Sequence, residues 1–111
     1  MPPVVILPAA QNDLLDQAEY YDSQGGETLG DRFLARCEAG FERIAAFPES
    51  GTRVRLRHPK LEGCRFILAP EFDKILIFYR LREGKIQIVR VLHGARNIET
   101  ARDEKSDETQ H

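Results

Sequence analysis

The chain has 111 residues, of which 41% are hydrophobic and 31% charged, and its formal net charge is −2. This length suits one domain with its own core, and the composition is typical of globular proteins. No apolar run approaches the roughly 18–20 residues of a membrane span, and residues 1–11 lack the basic start of a signal peptide. Two cysteines, Cys37 and Cys64, are too few for a disulfide framework. We therefore expect a cytoplasmic protein, not associated with membranes, in which both thiols are buried and reduced.

Charge is unevenly distributed along the chain. Residues 1–50 carry three Arg against nine acidic residues, whereas residues 51–97 carry eleven Lys and Arg against four acidic residues. A basic segment of this kind favours an anionic partner. Most of its cations are Arg, which can pair a phosphate or a carboxylate through two N–H groups. The alternative is that the arginines only cover exposed strand faces.

Apolar residues at helical spacing predict two consecutive helices in the first half of the chain. The first is expected from Ala9 to about Ser23 and the second from about Glu27 to Phe47, after a short β-branched strand at residues 4–7. The two glycines between them predict a tight turn and therefore an antiparallel helical hairpin. Gly40 inside the second helix costs about 1 kcal/mol relative to Ala, so we expect the facing helix to approach closely there.

The second half alternates apolar and polar residues in the manner of strands. Residues 52–57 are interpreted as a short edge strand or an extended loop, and three further strands are predicted at residues 64–69, 74–82 and 85–93. Tyr79 falls on an apolar stripe and is predicted to be a core residue. In the last strand, strict alternation places Ile86, Ile88, Arg90 and Leu92 on one face and Val89, Val91 and His93 on the other.

The element order β-α-α-β-β-β predicts an α+β fold, in which a helical hairpin packs on a small, mainly antiparallel sheet. Residues 1–98 are interpreted as a single domain. Residues 99–111 are interpreted as a polar, flexible tail, with a helical turn predicted near residues 97–102 and disorder at residues 103–111.

Known enzyme signatures are missing from the sequence. It contains no GxGxxG or Walker loop, no HExxH or GxSxG motif, and no cysteine pair at zinc-site spacing. We therefore expect neither a cofactor nor a metal. The chemistry left open is metal-free RNA cleavage, in which His acts as general acid or base and Arg stabilises the charge that develops on the phosphate.

Four segments carry a family resemblance: PAAQNDL at 8–14, FPESG at 47–51, LEGCRFIL at 61–68 and IVRVLHGARNI at 88–98. In order and spacing these segments resemble the RelE/ParE superfamily of toxins from bacterial type II toxin–antitoxin systems. Their amino-acid sequences are closer to the ParE-like, plasmid-stabilisation branch. The resemblance spans roughly residues 4–100. It implies the fold predicted above, a cytoplasmic toxin, and a cognate ParD-like antitoxin whose acidic, flexible C-terminal arm wraps the toxin.

The superfamily contains two activities. RelE-like members cleave mRNA in the ribosome without a metal, whereas ParE-like members inhibit DNA gyrase. The resemblance places a RelE-like catalytic site on Arg65, His93 and Arg96. RelE-like toxins often carry an aromatic residue beyond that last Arg to stack a base, but here no aromatic residue follows Tyr79 and position 102 is Arg. The alternative for His93 is a structural role, since a His that closes a strand is more often structural than catalytic.

The sequence therefore predicts a growth-inhibiting toxin that acts on gyrase and is neutralised by its antitoxin. The expected binding residues are Arg80, Arg82, Arg90 and Arg96. One alternative is a ribosome-dependent mRNA endonuclease that uses Arg65, His93 and Arg96. The other is a family member that retains only antitoxin binding.

Overall fold

Two helices lie against one face of a five-stranded sheet in the computed structural model, which describes residues 1–55 and 59–94. The elements in chain order are β1 (Val4–Ile6), α1 (Pro8–Gly25), α2 (Glu27–Ala46), β2 (Thr52–Arg53), β3 (Arg65–Ala69), β4 (Phe72–Arg82) and β5 (Lys85–His93). The strand order is β1-β5-β4-β3-β2. Only β1 and β5 are parallel, and the other neighbours are antiparallel. The predicted α+β fold is confirmed.

The structure refines several predicted boundaries. Helix α1 begins at Pro8, where a missing N–H costs nothing because the first helical amides have no intrahelical acceptor. The predicted edge strand is present as β2 but is only two residues long. Strand β4 begins at Phe72, because the turn before it needs only Pro70 and Glu71, the latter with φ of 66°. The predicted turn near 97–102 and the tail at 99–111 lie outside the described residues.

The hairpin between the helices is held by Asp22 of α1. Its Oδ1 accepts a hydrogen bond from the Gly30 amide at 2.8 Å, and its backbone carbonyl accepts one from the Gly26 amide at 3.1 Å. Helix α2 has no capping side chain of its own. Asp22 therefore brings a carboxylate to the amide-rich start of α2, where negative charge is stabilising.

Gly40 marks a close approach, but to the sheet rather than to the facing helix. A Cβ at Gly40 would lie 2.9 Å from Cδ1 of Ile77 and 3.4 Å from Cδ of Pro70. The expectation of a helix–helix contact was wrong because this face of α2 lies over β3 and β4.

The main core lies between the helices and the sheet. It joins small residues of α1 and large residues of α2 to the inward side chains of the sheet. The buried members are Ala10, Leu14, Ala18, Phe33, Cys37, Phe41, Ile44, Ala69, Ile75, Ile77, Tyr79, Ile86, Ile88 and Val91. Burial raises the pKa of the Cys37 thiol to about 12, so this cysteine stays protonated and unreactive near neutral pH. Both cysteines are free and buried, as predicted.

The outer face of the sheet has a smaller core of its own. Its buried residues are Leu61, Cys64, Phe78, Val89 and Leu92. Leu61, which lies shortly before β3 in the chain, covers part of this face. Both faces of the central strands are therefore buried, which explains why neither face is cleanly polar in sequence.

Strand β5 contains a β-bulge that changes which of its side chains face the helices. Phe78 pairs with Arg90 and Tyr79 pairs with Ile88, so Val89 is an extra residue in β5. Beyond the bulge the alternation is shifted by one position. Val91 therefore joins Ile88 in the main core, and Leu92 belongs to the outer cluster. The face assignment from strict alternation was wrong for these residues.

No helix within residues 1–55 and 59–94 is long and apolar enough to cross a membrane.

We predict that Gly30→Ala destabilises the protein, although Ala is the better helix former by about 1 kcal/mol. The new Cβ would lie 2.5 Å from the carbonyl oxygen of Ala18 and 2.5 Å from Oδ1 of Asp22. We expect a loss of about 1–3 kcal/mol in the free energy of unfolding, typical of overpacking, measured by urea denaturation. Glu42→Ala, at an exposed position of the same helix, is the control and should change stability by less than about 0.5 kcal/mol. Equal stability of the two variants would contradict this account.

Candidate functional site

Arg65 begins β3 and points toward the turn that follows α2. It pairs with Tyr79 across the sheet, and its Nη1 donates a hydrogen bond to the Gly51 carbonyl at 2.9 Å. The side chain is half-buried. One guanidinium nitrogen of this predicted site residue is thus engaged in holding the turn.

Tyr79 also stabilises the turn that follows α2. Its hydroxyl donates to the Pro48 carbonyl at 2.8 Å and accepts from the Gly51 amide at 3.0 Å, while the ring is only 1% exposed. The prediction that Tyr79 is a core residue is confirmed. The apolar pattern around Tyr79 did not predict that its hydroxyl connects the turn after α2 to the sheet.

Arg90 lies at the bulge and pairs with Asp13 of α1. Its Nε donates to Oδ2 at 2.7 Å and its Nη2 donates to Oδ1 at 2.9 Å. Oδ2 also accepts from the Val91 amide at 2.9 Å. The hydrogen bond with Asp13 raises the pKa of Arg90, with burial acting in the opposite direction. This predicted binding residue is therefore part of the joint between helix and sheet.

Arg80 and Arg82 lie on the outer face of the sheet, near the β4–β5 turn. Arg80 donates from Nε to Oε1 of Gln87 at 2.7 Å, and Arg82 is exposed. Burial raises the pKa of the Cys64 thiol, and the charges of Arg80 and Arg82 partly oppose this rise. The structure thus brings these two predicted binding residues together and separates them from Arg90.

His93 ends β5 opposite Ile75 and is half-buried. Ile75 is four positions along β4 from Tyr79, the partner of Arg65. At strand spacings this places the Cα atoms of Arg65 and His93 about 13 Å apart along the strands and about 10 Å apart across them. The third residue of the predicted catalytic group, Arg96, lies outside the described residues.

A cleft at the edge of the sheet involves a residue that the sequence did not single out as a site. Arg53 of β2 lies directly opposite Arg65 of β3. The two line a cleft of about 220 Å³ together with Val54, Gly63 and Cys64. Alternation in sequence indicated that Arg53 belongs to an edge strand, but only the pairing register places it against Arg65.

Within residues 1–55 and 59–94, no group of three or more His, Cys, Asp or Glu side chains is placed to hold a metal ion.

Comparison with protein families identifies the chain. A family model described as ParE toxin of type II toxin–antitoxin system, parDE, matches residues 4–98. The chain belongs to the ParE toxin family. Among curated proteins no sequence matches significantly.

The fold of this ParE-family chain is also found in a solved structure. The match is to a chain from a structure described as the chromosomal ParDE TA system from P. aeruginosa, with a TM-score of 0.69 and 16% sequence identity. The alignment covers 84% of this chain and 96% of that one. The ParE fold is therefore retained although few residues are shared.

We predict that Asp13→Asn lowers the stability of this ParE-family protein by about 2 kcal/mol, a typical value for hydrogen bonds to charged groups. The substitution removes the carboxylate from Arg90, whose side chain is 30% exposed, and weakens the acceptor of the Val91 amide. Urea denaturation should show the loss. Asp16→Asn, an exposed position on the same helix, removes the same charge and should leave the midpoint nearly unchanged. Equal midpoints would show that the Asp13 pair adds nothing.

We predict that Tyr79→Phe costs about 1–3 kcal/mol, because the Gly51 amide loses its acceptor in a buried setting. Hydrogen exchange at the Gly51 amide should become faster, while exchange within β5 follows only the change in global stability. Unchanged exchange at Gly51 in the variant would contradict the proposed role of the hydroxyl.

Proposed function

We propose that this protein is the toxin of a ParDE-type pair, that a cognate ParD-like antitoxin neutralises it, and that it arrests growth by inhibiting DNA gyrase. The observation that carries the proposal is the ParE family match, which covers residues 4–98. Gyrase inhibition is the activity that the ParE-like resemblance implies.

The arrangement of the arginines supports binding more than RNA cleavage. Metal-free cleavage needs an acid, a base and a cation around one phosphate. Here one guanidinium nitrogen of Arg65 is engaged by the Gly51 carbonyl, and His93 lies on a strand two positions away in the sheet. The lack of an aromatic residue after Tyr79 points in the same direction, since no such residue is available there to stack a base.

Arg80 and Arg82 are the binding residues that this proposal retains. Neither forms an ion pair within residues 1–55 and 59–94, whereas Arg90 is neutralised by Asp13. Their position beside the β4–β5 turn leaves both charges at the surface. Surface charge of this kind raises association rates with an anionic partner and makes binding sensitive to salt.

Expression of the protein without its antitoxin tests the proposal directly. We expect growth arrest, induction of the DNA-damage response and intact mRNA, all reversed by co-expression of the antitoxin. Purified protein should inhibit supercoiling by gyrase. The double variant Arg80→Gln/Arg82→Gln should weaken this inhibition about tenfold or more, equivalent to about 1.4 kcal/mol, whereas Arg43→Gln on α2 should not.

Two results would count against this function. Cleaved mRNA together with a quiet DNA-damage response would assign the protein to the endonucleases, and His93→Ala should then abolish toxicity without unfolding the chain. Folded protein that binds antitoxin but causes no arrest would instead identify a member that retains only antitoxin binding.

A further inference from the structure

The outer face of the sheet, which is turned away from the helices, has an apolar end and a cationic end. Side chains alternate along β4, and its Phe78 is in the outer cluster, with Leu76 packed against that cluster. Arg80 and Arg82 follow at the same spacing and therefore lie on the same face. On β3, Leu68 pairs with Leu76 and is 46% exposed. Apolar surface is thus followed by positive charge along β4.

The cationic end has no carboxylate paired with it in the described part of the chain. No ion pair within residues 1–55 and 59–94 involves Arg80 or Arg82. Arg80 donates from Nε to the neutral amide of Gln87, which leaves its charge in place, and Arg82 is exposed. Both charges partly oppose the rise that burial causes in the pKa of Cys64, so both lie near the outer cluster. Two such guanidinium groups attract an anionic partner.

The chain leaves the sheet at the apolar end of this face. Strand β5 ends at His93, opposite Ile75. A Cβ at the next residue, Gly94, would lie 3.2 Å from Cδ1 of Leu76. Because Leu76 packs against the outer cluster, residues 95–111, which lie outside the described residues, continue from the outer side of the sheet.

The residues after Gly94 carry complementary groups in the same order as the surface. Ile98 is the one large aliphatic residue among residues 95–111, and it precedes the acidic residues. Residues 99–111, the acidic segment, carry five acidic residues against two basic ones, a formal net charge of −3. The acidic residues are Glu99, Asp103, Glu104, Asp107 and Glu108. An apolar residue followed by negative charge matches an apolar surface followed by positive charge.

The acidic segment is long enough to reach both arginines, whether it is helical or extended. Arg82 lies six positions beyond Leu76 along β4, about 20 Å at strand spacing. Asp107 lies thirteen residues beyond Gly94, which spans about 20 Å in a helix and about 40 Å in an extended chain. Its carboxylates can therefore be placed against the cationic end of the outer face.

We propose that residues 99–111 bind back onto the outer face of the sheet and place their carboxylates against Arg80 and Arg82. Guanidinium groups bind carboxylates through charge-assisted N–H···O bonds. The chain makes this contact intramolecular, with an effective concentration on the order of millimolar, so an interaction that is weak between separate molecules is well populated here. Charge attraction requires no fixed fold of the segment, which agrees with the flexibility that its composition predicts.

The contact makes the acidic segment an internal competitor for any anionic partner of Arg80 and Arg82. Such a partner binds only those molecules in which the segment is released, so its apparent affinity falls with the released fraction. This consequence rests on the proposed function, in which the two arginines bind gyrase. The contact itself does not rest on it, because it is a property of the toxin alone.

A spin label near the end of the acidic segment tests the contact in the full-length toxin. Thr109→Cys supplies an accessible thiol for the label, since both native cysteines are buried. At low salt the label should reduce the NMR amide signals of Arg80 and Arg82 about twofold or more, because the contact is well populated at a millimolar effective concentration. The signal of Arg36, on α2, should keep its intensity. At about 1 M salt the lost signals should recover, since the screening length falls to about 3 Å.

Two sets of neutral variants locate the contact in the labelled chain. The first is Arg80→Gln/Arg82→Gln, and the second neutralises four residues of the acidic segment. The four changes are Asp103→Asn, Glu104→Gln, Asp107→Asn and Glu108→Gln. Each set should restore the signals at positions 80 and 82. The control Arg43→Gln/Arg53→Gln removes two exposed arginines on the helix side of the sheet and should leave the loss of signal unchanged.

The consequence for gyrase is tested with the second set of variants in the unlabelled chain. The neutralised segment should increase inhibition of supercoiling about twofold or more, as release of the two arginines requires. A matched control neutralises four exposed acidic residues of the helices and should not have this effect. Its changes are Asp16→Asn, Glu19→Gln, Glu38→Gln and Glu42→Gln. Equal inhibition by the two variants would overturn the competition.

Three results would overturn the contact. The first is full signal at Arg80 and Arg82 at low salt, and the second is a loss of signal that survives Arg80→Gln/Arg82→Gln. The third is the same loss in a mixture of labelled, isotope-free toxin and unlabelled, isotope-enriched toxin, because the contact would then form between two copies. A toxin that shows the contact but does not inhibit gyrase would overturn the proposed function and leave the contact standing.

Discussion

The joint between α1 and β5 depends on one carboxylate. Strand β1 ends at Ile6, where the chain turns into α1, so β5 loses its neighbour on that side after Ile88. The next amide that needs a partner there, that of Val91, donates to Asp13 instead. The same carboxylate binds Arg90. A helix side chain thus replaces the missing strand, and it sets where the helical layer meets the sheet.

The bulge at Val89 lies next to this joint and sets which side chains of β5 face the helices. The extra residue shifts the alternation beyond the bulge, which places Val91 on the helix side and Leu92 in the outer cluster with Val89. Leu61 packs in this outer cluster and covers part of the outer face. Residues 51–97 are strongly basic, but Arg90 pairs with Asp13 and does not add to the cationic surface. The other arginines that the structure describes there lie in two places, on the outer face of the sheet and at the β2–β3 edge.

Local patterns predicted the element order, the helical hairpin and the burial of Tyr79, because helix and strand periods are properties of neighbouring residues. They did not predict the pairing of Asp13 with Arg90, which lie 77 positions apart, nor the contact of Gly40 with Ile77. The alternation pattern did not predict the bulge either, because Val89 is as apolar as its neighbours. The Arg53–Arg65 pair depends on the register of two short strands, which sequence alone leaves open. The roles of Arg65 and His93 remain predictions.

The parallel pairing of β1 with β5 has a consequence for synthesis of the chain. Val4 to Ile6 leave the ribosome about 80 residues before their partners Ile86 to Ile88. The apolar faces of α1 and α2 are likewise buried only after the strands of the sheet have been synthesised. Contacts this distant in sequence form late and together. A nascent toxin therefore cannot acquire its native surfaces step by step. A chain that is terminated before β5 lacks the partner of β1 and half of the pairing of β4, and it leaves the main core exposed.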